Sequence, residues 1–242
     1  VAHGTGSWLL GVWATVTEIV AFPRPYGYPK ILLYVAAAGL FLWYARAPRP
    51  ARLAALAALV ATAFLFRHDH GVYIGGGALA VTAAVHARGG LLTVSKACAV
   101  FAALLALILA PYLVYVQLNG GLISYVATGM DVSRVEAPRT LQGVPGPRAF
   151  PWGDPDQHAA ILYWLFWATV PLTAVVAFVY RRVLPACAPA VLAGAIVMTA
   201  AANSGFLRDP LDARVPDAIV GPVLLLASGC ATERLWLSYP RI

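Results

Sequence analysis

The chain has 242 residues, is 61% hydrophobic and only 11% charged, against about 25% charged for an ordinary soluble domain. A water-soluble core has no use for that much apolar surface, so composition excludes a soluble globule and predicts an all-α, polytopic transmembrane bundle forming a single membrane domain. The net charge of +7 comes with no lysine/arginine run and no aromatic-basic interleaving, which argues against nucleic acid as a partner.

A membrane-crossing helix needs about 20 mostly apolar residues. Backbone groups in lipid must bond within the segment, so the spans are helices. The apolar pattern predicts about eight, at 7–22, 30–45, 52–66, 71–87, 97–116, 159–180, 187–203 and 217–232. Glu18 interrupts the first, and several are short enough to imply tilted or partly re-entrant helices. The chain starts at Val1 without the basic region and small-residue cleavage site of a signal peptide, and reads as a C-terminal fragment or a processed piece. Cys98, Cys187 and Cys230 all lie inside apolar runs, which is not the pattern of a disulfide framework.

Charge then sets the topology. The connections 46–52 (Arg46, Arg49, Arg52), 88–96 (Arg88, Lys96) and 181–186 (Arg181, Arg182) carry only positive charge, and they are every second connection. With the C-terminal tail (Glu233, Arg234, Arg241) they are predicted to be cytoplasmic by the positive-inside rule. The alternate connections hold both signs and nearly all the acids: Asp69, Asp131, Glu136, Asp154, Asp156, Asp209, Asp212 and Asp217. These are predicted to face outward.

The connection 117–158 is the one long outer segment and a small extramembrane insertion. "NGG" opens it, and Leu122, Ile123, Val126 and Met130 recur at helical spacing over 122–135, which suits a short interfacial helix. After Pro138, "TLQGVPGPRAFPWGDPDQ" reads as turn and coil. Phe150 and Trp152 are candidate anchors at headgroup level.

Four polar clusters share the outer side: Glu18 with "FPRPYGYPK" (22–30), "RHDHG" (67–71), the long connection, and "SGFLRDPLDARVPD" (204–217). Ionisable groups near a membrane are costly unless solvated, paired or used. In the knot, Arg67, His68, Asp69 and His70 crowd between two apolar runs. An extended backbone would point His68 and His70 the same way, but two ligands at this spacing match no standard zinc pattern, and no metal site is expected. Asp69 beside Arg67 and two histidines can serve as an acid/base group; the alternative is a solvated turn ended by Gly71. In the late cluster, Arg208 and Arg214 alternate with Asp209, Asp212 and Asp217. Their guanidinium forks suit phosphate or pyrophosphate oxygens, or they pair internally with the aspartates and merely neutralise the loop. Gly71, Gly75, Gly76, Gly77 and Ala80 place small residues about four apart, a close-packing face for another helix rather than a phosphate loop, because no Lys-Ser/Thr follows.

With these outward loops, a basic cytoplasmic side and the late "FLRD…ARVPD" loop, the chain resembles bacterial polytopic glycosyltransferases of the GT-C superfamily, the polyprenyl-phosphate-sugar-dependent enzymes related to protein mannosyltransferases and aminoarabinose transferases. The resemblance spans the architecture but rests on 18–30, 67–73 and 204–217. It implies hexosyl or pentosyl transfer from a lipid-phosphate donor on the outer face of a bacterial plasma membrane, with membrane lipid and a polyprenyl-phosphate-linked sugar as partners. It implies Asp69 or Glu18 as catalytic carboxylate. Arg208 and Arg214 would hold phosphate, with Arg67, His68, His70, Asp209 and Asp217 around the substrate, and Tyr73 and Trp152 would contact sugar or lipid. No cofactor is expected, and a divalent cation is compatible with the chemistry. One departure stands: the family's acidic pair follows the first span, and "PRPYGYPK" holds no acid. Two other functions fit the pattern, a transporter or flippase for a lipid-linked or anionic substrate and a non-catalytic membrane assembly subunit. A transporter would place polar groups at mid-membrane, where Thr199 and Asn203 are the candidates.

Overall fold

A proline, two glycines and one extended arginine mark several of the helix boundaries. The computed structural model describes residues 7–9, 11–13, 16, 28–142, 155–180, 182, 184–206 and 218–226. Among them the regular structure is helical: α1 (Tyr28–Arg46), α2 (Pro50–Phe66), α3 (His68–His86), α4 (Leu91–Asn119), α5 (Leu122–Gln142), α6 (Pro155–Val179) and α7 (Ala188–Phe206). A further helical stretch lies within 218–226.

Pro50 opens α2 after an extended Arg49; its missing N–H belongs to the first turn, where no partner exists anyway. α2 ends because Arg67 turns extended, and that one residue caps both the end of α2 and the start of α3. Gly90, at φ +80°, launches α4 from the short 3-10 turn Ala87–Gly89. Gly121, at φ +85°, lies in the elbow between α4 and α5. A side chain at either φ is disfavoured, which is why glycine stands there.

Three helices are long and apolar enough to cross a membrane among the described residues: Leu91–Asn119, Ala160–Val179 and Ala188–Gly205. At about 1.5 Å per residue α4 is roughly 44 Å long, more than a bilayer core of about 30 Å. It carries exposed Leu91, Leu107 and Leu118 on its outer faces. The α2 and α3 segments are helices close to the bounds the apolar runs suggested. α4 starts six residues earlier than expected, and the "LLTVSK" stretch read as connection is helical. α5 runs on through Pro138 to Gln142, so "TLQ" is helix and not coil.

The core is a face-to-face stack around α3. α1 contributes Tyr34, Ala37, Phe41 and Tyr44, a stripe at helical spacing. α2 adds Leu56 and Val60, α3 adds Ile74, Ala78 and Val81, and α7 adds Met198. Glycines permit the close approach. A Cβ on Gly71 would lie 2.5 Å from Phe64 Cβ and 2.7 Å from Phe64 N on α2. One on Gly77 would lie 2.8 Å from the Gly194 carbonyl oxygen and 2.9 Å from Phe41. The small-residue stripe of α3 therefore serves three partners, α2 through Gly71 and both α7 and α1 through Gly77. Between lipid-embedded helices association rests on such van der Waals fit rather than on a hydrophobic drive.

Neighbouring helices alternate in direction. Tyr44 near the end of α1 shares a 3.0 Å hydrogen bond with His86 at the end of α3. α7 runs against α3, with Gly77 beside Gly194 and Tyr73 beside Gly205. One end of the bundle thus gathers Arg46, Arg49, Arg52, Arg88, Lys96 and Arg182. The opposite end gathers Lys30, Arg67, His68, Asp69 and His70. Arg52 is held at the first end, donating to the Trp43 carbonyl with its guanidinium 4.8 Å above the Trp43 ring.

Candidate functional site

The polar end is built around the first turn of α3. His68, Asp69 and His70 are its first residues, not the wet turn or extended segment the sequence suggested. Gly71 does not end the knot but lies buried inside the helix against Phe64. The helical conformation separates the two histidines by about 200° around the axis. They face different neighbours and cannot act as a joint pair of ligands. Among the described residues no group of three or more His, Cys, Asp or Glu side chains could hold a metal.

Asp69 sits where a helix start favours negative charge. Its Oδ1 accepts the His70 backbone N–H at 3.0 Å, and its Oδ2 lies 2.9 Å from Arg67 Nη2. Both partners of this ion pair are about a quarter exposed, so the carboxylate can be reached from solvent while its orientation is fixed.

His70 points inward. It is 2% exposed, and its Nδ1 lies 2.6 Å from the Tyr34 hydroxyl, itself buried. Nε2 is 4.0 Å from Asp69 Oδ1. Tyr73 meets His70 edge to face at 5.9 Å and lies across Gly205. Lys30, one turn before Tyr34 on α1, is 2% exposed. A buried lysine marks a polar end rather than a lipid face.

His68 points outward, into an aromatic corner. Its ring centroid is 4.6 Å from Phe64, 6.4 Å from Tyr112 and 5.8 Å from Tyr125. The Tyr125 hydroxyl is 2.8 Å from Nε2, the Tyr112 hydroxyl is 3.4 Å from the same atom, and Tyr112 donates to Tyr125 at 3.3 Å. Desolvation, and then the neighbouring Tyr112 hydroxyl, push the Tyr125 phenol up to about 12. It therefore keeps its O–H throughout the neutral range.

On α7, Thr199 and Asn203 are one turn apart, and both are buried. The Thr199 hydroxyl and both ends of the Asn203 amide have no hydrogen-bond partner among the described residues. Thr199 packs on Gly221, where a Cβ would lie 2.9 Å from the threonine methyl.

The structure thus brings Arg67, His68, Asp69, His70 and Tyr73 to one end of the bundle. Glu18, Trp152, Arg208, Asp209, Arg214 and Asp217 lie outside the described residues. Sequence reasoning missed Tyr34, Tyr112 and Tyr125 and gave Lys30 no role of its own. Lys30 could have been found from its place in "FPRPYGYPK", and Tyr34 from its position one helical turn later. Tyr112 and Tyr125 carried no signal, because a tyrosine near a span end looks like an interfacial anchor. No protein family, curated protein or solved structure matches the chain.

Proposed function

We propose that the chain is a membrane-embedded glycosyltransferase of about eight spans. On this reading it moves a hexose or pentose from a lipid-phosphate donor to an acceptor on the outer face of a bacterial plasma membrane. The observation that supports it is the reachable, pre-oriented Asp69–Arg67 pair at the helix start, on the end of the bundle opposite Arg46, Arg49, Arg52 and Arg88. Asp69 takes the proton of the acceptor hydroxyl while that oxygen bonds to the anomeric carbon. The bond from that carbon to the donor phosphate oxygen breaks, and its electron pair stays with the phosphate. Arg67, with Arg208 and Arg214, stabilises that phosphate, a role that guanidinium forks fill well.

The test is turnover of polyprenyl-phosphate-linked sugar by the chain reconstituted in liposomes. Asp69→Asn lowers kcat about 100-fold or more, the usual weight of a positioned base. Wild-type turnover in that variant removes the base, and wild-type turnover in both Arg208→Ala and Arg214→Ala removes the phosphate role.

The buried Thr199–Asn203 pair favours a second reading, a transporter or flippase with a polar interior. On that reading the lipid-linked sugar crosses the bilayer unchanged, and Asn203→Leu stops the crossing.

A further inference from the structure

The aromatic corner around His68 is not needed for phosphate release, and it has the makings of a binding site. Four elements meet there: the last turn of α2 with Phe64, the first residue of α3 with His68, the C-terminal part of α4 with Tyr112 and the first turn of α5 with Tyr125. The elbow between α4 and α5 is fastened from within. Asn119 donates to the Tyr115 carbonyl at 2.8 Å, and the Leu122 N–H donates to Gln117 Oε1 at 3.0 Å. This holds Tyr125 opposite Tyr112.

The arrangement differs from a belt of interfacial tyrosines, whose hydroxyls each reach separately for water. Here two phenol oxygens and one imidazole nitrogen crowd together, with separations of 2.8, 3.3 and 3.4 Å. Around them the rings stand nearly at right angles: Phe64 to Tyr112 at 76° and Tyr112 to Tyr125 at 80°. The corner offers flat apolar walls and a cluster of donors and acceptors at its edge. It is partly open to solvent, His68 being exposed. Small-ligand sites combine such aromatic walls with a few convergent polar groups.

We propose that Phe64, His68, Tyr112 and Tyr125 form a saccharide-binding corner that takes a sugar ring by its C–H face and neighbouring hydroxyls. A polyol ring fits because the two phenol hydroxyls and the imidazole edge offer closely spaced hydrogen-bonding atoms to neighbouring sugar hydroxyls. The ring walls supply the apolar contact that a sugar's C–H face needs. Arg67 and Asp69 flank His68 in the chain, so the corner and the pair assigned to transfer share the start of α3. The choice of a sugar rests on the transferase reading. The ring belongs either to the donor or to the acceptor, and these are separated by which KM changes.

The experiment uses the full chain in lipid nanodiscs. Methyl glycosides of hexopyranoses and pentopyranoses are the probes, binding is read by saturation-transfer NMR, and tetramethylammonium is the cation control. Tyr112→Phe and Tyr125→Phe each weaken glycoside binding about fivefold, and the double variant about thirtyfold, the effect of one neutral hydrogen bond apiece. Tyr115→Phe, an exposed tyrosine outside the corner, changes nothing. The phenylalanine variants keep every ring, and unchanged thermal unfolding shows that they fold. Binding that is equal in wild type and double variant overturns the proposal, as does tetramethylammonium binding in place of glycosides. Transfer with no effect of the double variant on binding or KM removes the corner and leaves the transferase. Glycoside binding lost in the double variant, with no transfer by wild type, keeps the corner and removes the transferase.

Discussion

Replacing Gly71 by alanine tests how tightly α2 and α3 are joined. The new Cβ would lie 2.5 Å from Phe64 Cβ and 2.7 Å from Phe64 N. Carbon atoms rest at about 3.5–4.0 Å, so the shortfall is about 1 Å or more. The obstacle includes backbone, so no side-chain rotation relieves it. The helices must separate where they are joined by the single residue Arg67. Overpacking of this kind costs about 1–3 kcal/mol, and a backbone clash belongs at the upper end. Alanine's better helix propensity returns about 0.5–1 kcal/mol, leaving a net loss of about 2 kcal/mol. That lowers the folded-to-unfolded ratio by more than tenfold, at about 1.4 kcal/mol per factor of ten. Gly39 is the control: a Cβ there meets nothing within 4 Å, so Gly39→Ala gains the propensity term alone. Gly75, with its nearest neighbour a Val60 methyl at 3.3 Å, falls between them. Denaturant unfolding of the purified chain in micelles should rank Gly39→Ala above Gly75→Ala above Gly71→Ala. Equal stability of the Gly39 and Gly71 variants would refute the packing argument.

Three further outcomes follow from the geometry. Tyr34→Phe leaves buried His70 without its 2.6 Å partner and lowers stability by about 1–3 kcal/mol in the same unfolding assay; no change means the pair contributes nothing. Asn203→Leu removes amide atoms that lack partners among the described residues, so stability holds or rises, whereas a loss of about 2 kcal/mol or more shows the amide to be satisfied. The Tyr125 phenol is raised from 10.0 to about 12 in the folded chain, so the unfolded chain gives up that proton first. The stability it contributes is complete below pH 10, and it is lost as pH rises through about 12. Tyr125→Phe abolishes that part of the alkaline loss, which pH-dependent unfolding measures.

The helices were legible because apolar runs of 15 to 20 residues leave little else to form. So was the glycine stripe as a packing surface. The knot was misjudged for a physical reason. Four polar residues between apolar runs look like a turn, yet a single extended residue suffices to reverse the chain, and Asp69 stabilises the helix start. Once helical, His68 and His70 diverge instead of pointing the same way as an extended backbone would place them. Tyr34 pairs with His70 across 36 positions, and Tyr125 with His68 across 57. Such pairs depend on helix register and on the α4–α5 elbow, neither of which a hydrophobic period encodes.

The account depends most on the two ends of the bundle lying on opposite sides of a membrane, with the α3 start outside. A chain whose Cys98, Cys187 and Cys230 are replaced by serine, carrying either His68→Cys or Arg49→Cys, measures this with a membrane-impermeant maleimide on intact cells. Both native side chains are exposed, so accessibility reports the side of the membrane. Position 68 should label from outside and position 49 only after permeabilisation. The reverse pattern, or equal labelling of both from outside, would contradict the account.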